Sequence, residues 1–404
     1  MAPGRPEPAP RRGDVVELTL TDLAKGGAGI GHLPDGRVVF AQGGLPGDRV
    51  RVRLTRVKPR FASGDVVDRL APSPQRVRPP CELAETCGGC PWMGLEYGAQ
   101  LAAKGRIVAE TLARLGGIDR ALVLPPKASP RILGYRSRAR LGGRPGALGF
   151  FGLSSHVIVD VPHCPVLDPA LGRVLGEVRG HLAAHPPTGA YQVELALGEG
   201  GPAVAISGEG IPPVSLSGAR VHHHPGPLDD PPRLHLPFAQ ANAQVNAQIV
   251  DHVLGHLEPG PGRAYLDLFC GSGNFALPLA AAGARVLGIE GREDAVVAAQ
   301  AKSPDPHLTR FIAGDVAQVL AAEGPMGALD GAVINPPRGG AAEALGPLID
   351  AAPRRLAYVS CDPATLARDL STLAARYEIV EVQPFDMMPH TAHIEAVALL
   401  KARG

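Results

Sequence analysis

From residue 263 onward the chain alternates short apolar runs with amphipathic stretches, a periodicity that restricts this half to an α/β domain built on a mainly parallel sheet. AYLDLF, ARVLGI, LDGAVI and RLAYVS read as buried strands, and ALPLAAA, EDAVVAAQA, EALGPLIDAA and PATLARDLSTLAAR as the intervening helices. YEIVEVQPF and HIEAVALL then form an antiparallel pair at the sheet edge. The order predicts a doubly wound, Rossmann-like sheet whose ligand groups gather at the carboxyl ends of its strands.

Those strand ends carry the chemistry. The first runs into LDLFCGSGNF, where Gly271 and Gly273 let the backbone approach a ligand closely. Ala276 supplies the third small residue of a dinucleotide fingerprint, so spacing admits NAD as well as another adenosine-type ligand. Glu290, ending the second strand, suits a ribose diol. Asp315 after the third either faces the adenine or caps the helix beginning at Val316. In INPPRGG, Pro336 and Pro337 fix the backbone so that Asn335 points at a substrate. Cys361, in YVSCDPATLARD, sits between a strand end and a helix start, where the helix N-terminus favours thiolate. Glu395 follows near the start of the last strand, and Cys270 reads as a packing residue.

The front of the chain is different. Residues 1–10 are Pro-rich and read as a loose tail, and residues 11–70 read as five short strands with Gly turns, a small barrel of the oligonucleotide-binding kind. Arg49, Arg51 and Arg53 alternate with Val50, Val52 and Leu54, which places the arginines on one face, and Arg56, Lys58 and Arg60 extend the basic run. Residues 1–80 hold 14 Lys and Arg against 8 Asp and Glu in a chain whose net charge is only +1. That asymmetry points to a polyanion bound at the front end. Residues 127–144 add six basic and no acidic residues, as a phosphate contact or an exposed hairpin.

Residues 71–234 form a central region. Cys81, Cys87 and Cys90 lie in RVRPPCELAETCGGCPW and the fourth thiol, Cys164, in VPHCPVLDP. MAPGRPEPAP lacks the apolar core of a signal peptide, so a cytoplasmic, reducing setting is expected and metal ligation outweighs disulfides. Four thiolates suit a structural zinc or a [4Fe-4S] cluster, and the spacing departs from the paired C-x2-C knuckles of zinc sites. A helix over about 94–117 has an apolar stripe suited to packing on the C-terminal α/β domain, whereas His222, His223 and His224 read as a solvated loop without a role. No run of 18 apolar residues occurs, so no membrane span is expected.

Taken together, the barrel, the four cysteines, LDLFCGSGNF, NPPR, SCDPATLARDL and DMMPHTAHIE resemble the RNA uracil-5-methyltransferase family over nearly the whole chain, in particular its 23S ribosomal RNA branch. The resemblance implies a TRAM barrel over 11–70, an iron-sulfur central domain over 71–234 and a class I methyltransferase domain over 235–404. It implies S-adenosylmethionine as methyl donor, contacted by Gln240, Phe269, Asn274, Glu290, Asp315 and Asn335, and a [4Fe-4S] cluster on Cys81, Cys87, Cys90 and Cys164. Cys361 becomes the nucleophile and Glu395 the proton acceptor. The expected partner is 23S rRNA, with tRNA as the alternative, and a monomer is expected. Asp362 stands where Asn usually follows the nucleophile, and Asn335 where many members carry Asp. Two other classes compete: a non-enzymatic RNA-binding module leaves Cys361 and Glu395 idle, and a NAD-dependent oxidoreductase explains the glycine loop alone.

Overall fold

The computed structural model describes residues 10–403 apart from 154, 199, 227, 229–235, 237–239, 325 and 326, so all of the expected tail but Pro10 lies outside the described residues. Strands β1 (Val15–Leu23), β2 (Gly29–His32), β3 (Val38–Gln42), β4 (Arg49–Val57) and β5 (Phe61–Ala71) close into a barrel in the order β1-β2-β3-β5-β4. In β4 the alternation is realised: Val50, Val52 and Leu54 are buried with Leu18, Leu20 and Val39, while the arginines between them face out. Two of those arginines are partnered across the ladder, Arg49 with Glu17 at 3.4 Å and Arg51 with Asp68 at 3.6 Å.

Helix α1 (Tyr97–Gly116) starts behind the Glu96 cap and stops at Gly117, which takes φ 64°. Strands β6 (Arg138–Arg144), β7 (Ala147–Phe151) and β8 (Ile158–Asp160) follow, then α2 (Pro169–Ala184), β9 (Tyr191–Gly198), β10 (Gly201–Gly208) and β11 (Arg220–Pro225). They build a six-stranded sheet ordered β11-β10-β9-β6-β7-β8. Asp168 caps α2, whose Leu171, Val174, Leu175 and Val178 fall at helical spacing and pack on Leu141, Val193 and Val204. The three histidines are not a loop. They lie in β11, paired in parallel with residues 205–207 of β10, because the chain returns along an exposed sheet edge whose ladder outweighs weak strand propensity.

The last domain comprises α3 (Ala243–Leu257), β12 (Ala264–Leu268), α4 (Ala276–Ala281), β13 (Arg285–Glu290), α5 (Glu293–Ala301), β14 (Thr309–Ala313), α6 (Val316–Glu323), β15 (Gly331–Ile334), α7 (Ala342–Ala351), β16 (Arg355–Ser360), α8 (Pro363–Leu373), β17 (Tyr377–Phe385) and β18 (Glu395–Ala402). The sheet order is β14-β13-β12-β15-β16-β18-β17, parallel except for β18, which runs antiparallel between β16 and β17. Alternate residues feed two cores. Leu266, Leu268, Ile334 and Tyr358 pack towards α1, α7 and α8, and Tyr265, Val333 and Val359 towards α3 and α4. Helix α1 packs on this domain, its Val108 and Leu112 sharing a core with Leu366 and Leu370 of α8. Strand order reverses between β12 and β15, which opens the crevice where ligands bind in such sheets.

Candidate active site

The turn after β12 is coiled tightly. Phe269 takes φ 62°, a left-handed conformation costing a non-glycine residue about 1 kcal/mol or more. Gly271 and Gly273 follow at 54° and 90°. A Cβ on Gly271 would meet nothing within 4 Å, which leaves an open backbone face, whereas one on Gly273 would meet Leu277 at 2.6 Å. Glu290 braces this turn from the end of β13, accepting from the Gly271 N–H at 3.0 Å and from the Arg292 N–H at 3.0 Å.

Asn274 exchanges two hydrogen bonds, of 2.8 and 3.1 Å, with Asn246 on α3. The Asn335 N–H donates to the Leu268 carbonyl at 3.1 Å, which ties the turn after β15 to the end of β12. Asp315 caps α6 by accepting from the Gln318 N–H at 2.9 Å. Gln240 lies on the approach to α3, its carbonyl accepting from Ser137 Oγ at 2.9 Å. Phe269, Asn274, Glu290, Asp315 and Asn335 therefore share one sheet edge, and Gln240 lies just before α3, whose Asn246 bonds Asn274.

The same edge continues to β16 and β18. Ser360 pairs with Ala396 in the antiparallel ladder, so the next residues on each strand, Cys361 and Glu395, stand opposite one another. Glu395 is buried, and burial pushes its carboxyl up to about 7. Cys361 reaches the surface. Desolvation of its thiol, followed by the neighbouring Glu395 carboxylate, raises its pKa, while the Arg338 guanidinium pulls it down.

Residues 11–67 match the TRAM domain and residues 234–403 the tRNA (Uracil-5-)-methyltransferase family. The 23S rRNA (uracil(1939)-C(5))-methyltransferase RlmD of Thiobacillus denitrificans is 37% identical over 439 residues, spanning 96% of this chain and 99% of that protein. Its namesake from Alkalilimnicola ehrlichii is 34% identical over 436 residues, spanning 96% and 97%. The chain belongs to the RNA uracil-5-methyltransferase family. Its fold is shared with the tRNA (uracil-54, C5)-methyltransferase of Pyrococcus abyssi, solved in complex with S-adenosyl-L-homocysteine, at a TM-score of 0.74 and 24% identity over 95% of this chain and 100% of that one.

In this RNA uracil-5-methyltransferase the four cysteines of the central region converge. Cys81, Cys87, Cys90 and Cys164 are free thiols lining one cavity with Met93, Phe150 and Arg136. Burial, followed by the neighbouring Cys164 sulfur, pushes Cys90 up to about 12, and burial also raises Cys87 and Cys164. The Gly89 N–H donates to Cys87 Sγ at 3.4 Å. Among the described residues no three His, Cys, Asp or Glu side chains are set closely enough to hold a metal ion as they stand. Cys270 is elsewhere, buried in the core beneath the turn after β12. No described helix is long and apolar enough to cross a membrane.

Three features escaped the sequence reading. Asp267 is fully buried in β12, accepting from the Ala276 N–H at 2.8 Å while its other oxygen has no partner among the described residues; burial lifts it to about 7. Arg338, in the NPPR turn, is the cation that offsets Glu395 at Cys361. Lys104 and Asp386 form an ion pair of 2.5 Å, both essentially without solvent contact, and Tyr97 also donates to Asp386 at 2.8 Å. The signal for that pair was a lysine within the apolar stripe of α1. The basic run 127–144 is partly internal: Arg138 reaches buried Glu194 at 3.2 Å and Arg136 lies over Phe150 at 5.7 Å.

Proposed function

We propose that this enzyme methylates carbon 5 of a uridine in 23S rRNA, with Cys361 as nucleophile and Glu395 as the base. The observation that carries this reading is the placement of Cys361 beside Glu395, where β16 and β18 pair up to Ser360 and Ala396. Carbon 5 of uracil is a weak nucleophile. Addition of the Cys361 thiolate to carbon 6 turns the ring into an enolate whose carbon 5 is nucleophilic. After methylation Glu395 takes the proton from carbon 5, the electron pair restores the 5,6 double bond, and the carbon–sulfur bond breaks to release thiolate. A carboxyl titrating near 7 is poised to accept that proton at neutral pH. Stacking shields the target, so the uridine must be flipped out or already unpaired, at a cost of a few kcal/mol.

When bound, S-adenosylmethionine supplies the methyl sulfonium. The open face at Gly271, the Glu290 carboxylate and the strained Phe269 fit that ligand, with Gln240, Asn274, Asp315 and Asn335 completing its contacts. Four thiols lining one apolar cavity, with a backbone N–H on one sulfur, support a [4Fe-4S] cluster held by Cys81, Cys87, Cys90 and Cys164, whose binding would draw these thiols closer than they stand. Its role here is to organise a Gly- and Pro-rich loop that buries little apolar surface. Arg53, Arg56, Lys58 and Arg60 on the barrel make no ion pair among the described residues and are the cations available to phosphate.

The test is a quenched reaction with S-adenosylmethionine and 23S rRNA. Cys361→Ala should give neither methylated uridine nor protein–RNA adduct, and Glu395→Gln should accumulate a slow-migrating adduct carrying the methyl group. Normal turnover by Glu395→Gln would overturn the assignment of the base. Because one matching family is described by tRNA, a tRNA arm is included, and methylation there with none on rRNA would reassign the substrate.

A further inference from the structure

Beside Cys361 lies a second carboxylate, Asp362, whose charge has to be dealt with if the thiolate is to form. The side chain turns away to cap α8, accepting from the N–H groups of Ala364 at 2.8 Å and Thr365 at 3.2 Å. Its other oxygen accepts from Lys25 Nζ at 2.6 Å, a lysine 337 residues away in the barrel. Burial alone pushes the Asp362 carboxyl upward; Lys25 and the two N–H groups outweigh it and hold the group ionised.

Lys25 is not on a loosely placed loop. It belongs to the turn joining β1 to β2, closed by the Ala24 N–H to the Ala28 carbonyl at 2.8 Å and the Gly27 N–H to the Ala24 carbonyl at 2.8 Å. The buried indole of Trp92 donates to the Gly27 carbonyl at 3.1 Å. Gly27, at φ 89°, lies so close to the methyltransferase domain that a Cβ there would meet the Ala392 methyl at 3.5 Å. Ala392 is three residues before Glu395. The barrel therefore touches the active-site rim at two points, through Gly27 and through Lys25.

We propose that Lys25 is a positioning residue for Cys361: by pairing with Asp362 it holds that carboxylate in its helix cap and neutralises it, so that the barrel supplies part of the electrostatic environment of the nucleophile. This rests on the assignment of Cys361 above. The charged groups facing the thiol are Glu395 from β18, Arg338 from the turn after β15 and Asp362 at the head of α8, with His393 near Arg338 and Lys25 acting through Asp362. Removing Lys25 leaves two carboxylates against one guanidinium.

The experiment uses the full-length protein and iodoacetamide, with alkylation of the Cys361 peptide quantified by mass spectrometry across pH. Lys25→Met should move the alkylation midpoint up by about half a pH unit, equivalent to about threefold less thiolate at neutral pH. Lys25→Arg should keep the midpoint. Asp362→Asn should lower it, and Lys25→Met added to Asp362→Asn should produce no upward shift. An unchanged midpoint in Lys25→Met, or the same upward shift in the Asp362→Asn background, overturns the proposal. Should Lys25→Met not fold, the direction of the Asp362→Asn shift decides alone, a rise or no change being the overturning result. Failure of the wild type to form an adduct with 5-fluorouridine-containing rRNA would instead sink the nucleophile assignment, a different readout.

Discussion

As the proposed base, Glu395 faces two demands at the scale of a single residue: it must sit where water does not compete for the proton on carbon 5, and it must still ionise. Burial raises its carboxyl from 4.5 to about 7, so the folded protein holds a proton that the unfolded chain releases between those values. Stability from this group is fully present below about pH 4.5 and is lost as pH rises through about 7, a difference of at most about 3 kcal/mol. Glu395→Gln, which cannot ionise, should therefore unfold at a higher temperature than wild type at pH 8 and at nearly the same temperature at pH 4.5. Equal differences at both values in thermal scans would show that the carboxyl is not titrating in this window. For catalysis the sign is reversed, because only the ionised base accepts a proton. Methylated adduct formed by the wild type at pH 8 and shifted to pH 6 should release RNA more slowly than adduct kept at pH 8, and equal release rates by gel would contradict it. The placement of Cys361 and Glu395 at strand ends was legible in the sequence from the apolar runs that flank them. Their mutual position was not, since it depends on β18 pairing beside β16 rather than on any local spacing.

Between β17 and β18 the segment 386–394 carries the approach to Glu395, and it is held by α1 and by Tyr135 rather than by its own sheet. Lys104 bonds Asp386 and the Met388 carbonyl, Gln100 accepts from the His390 N–H at 2.9 Å, and Tyr135 Oη donates to the Pro389 carbonyl at 3.1 Å. Breaking a buried pair leaves a charge without its partner, whereas removing both charges does not. Lys104→Met should cost about 3–5 kcal/mol in urea unfolding, and adding Asp386→Asn should recover part of that loss. Additive losses in the double variant would contradict the pairing. The strands and helices of this domain were readable from apolar periodicity, as was the apolar stripe of α1. Which helix of the C-terminal domain receives α1, namely α8, was not, because an amphipathic helix specifies a buried face and not its partner. The histidines of β11 were misread for a related reason: their strand is stabilised by the ladder with β10, which local composition does not encode.

Over the whole molecule, the barrel is bound into the catalytic unit. Leu23 and Leu45 from the barrel share an apolar core with Trp92, α1 and α8, and Arg106 on α1 reaches Asp22 at 2.8 Å. The basic front end was visible in the charge count, yet charge alone cannot distinguish a tethered RNA grip from a docked one. The two cases differ in what truncation does. For a tethered barrel, deleting residues 1–70 weakens RNA binding and nothing else. Here deletion also uncovers the indole of Trp92, which has no exposure in the intact protein, and strips neighbouring apolar area, at a cost of a few kcal/mol. Asp362 loses its lysine in the same step. The truncated protein should therefore melt at a lower temperature and form adduct slowly even at saturating RNA. Replacing Arg53, Arg56 and Lys58 together by Glu should leave the melting temperature and donor affinity unchanged. That variant should bind RNA more weakly, with a shallower salt dependence, because fewer counterions are released from phosphate. If truncation leaves melting and saturated adduct formation intact, the barrel is a tether; if the triple variant keeps the wild-type salt slope, RNA is gripped elsewhere.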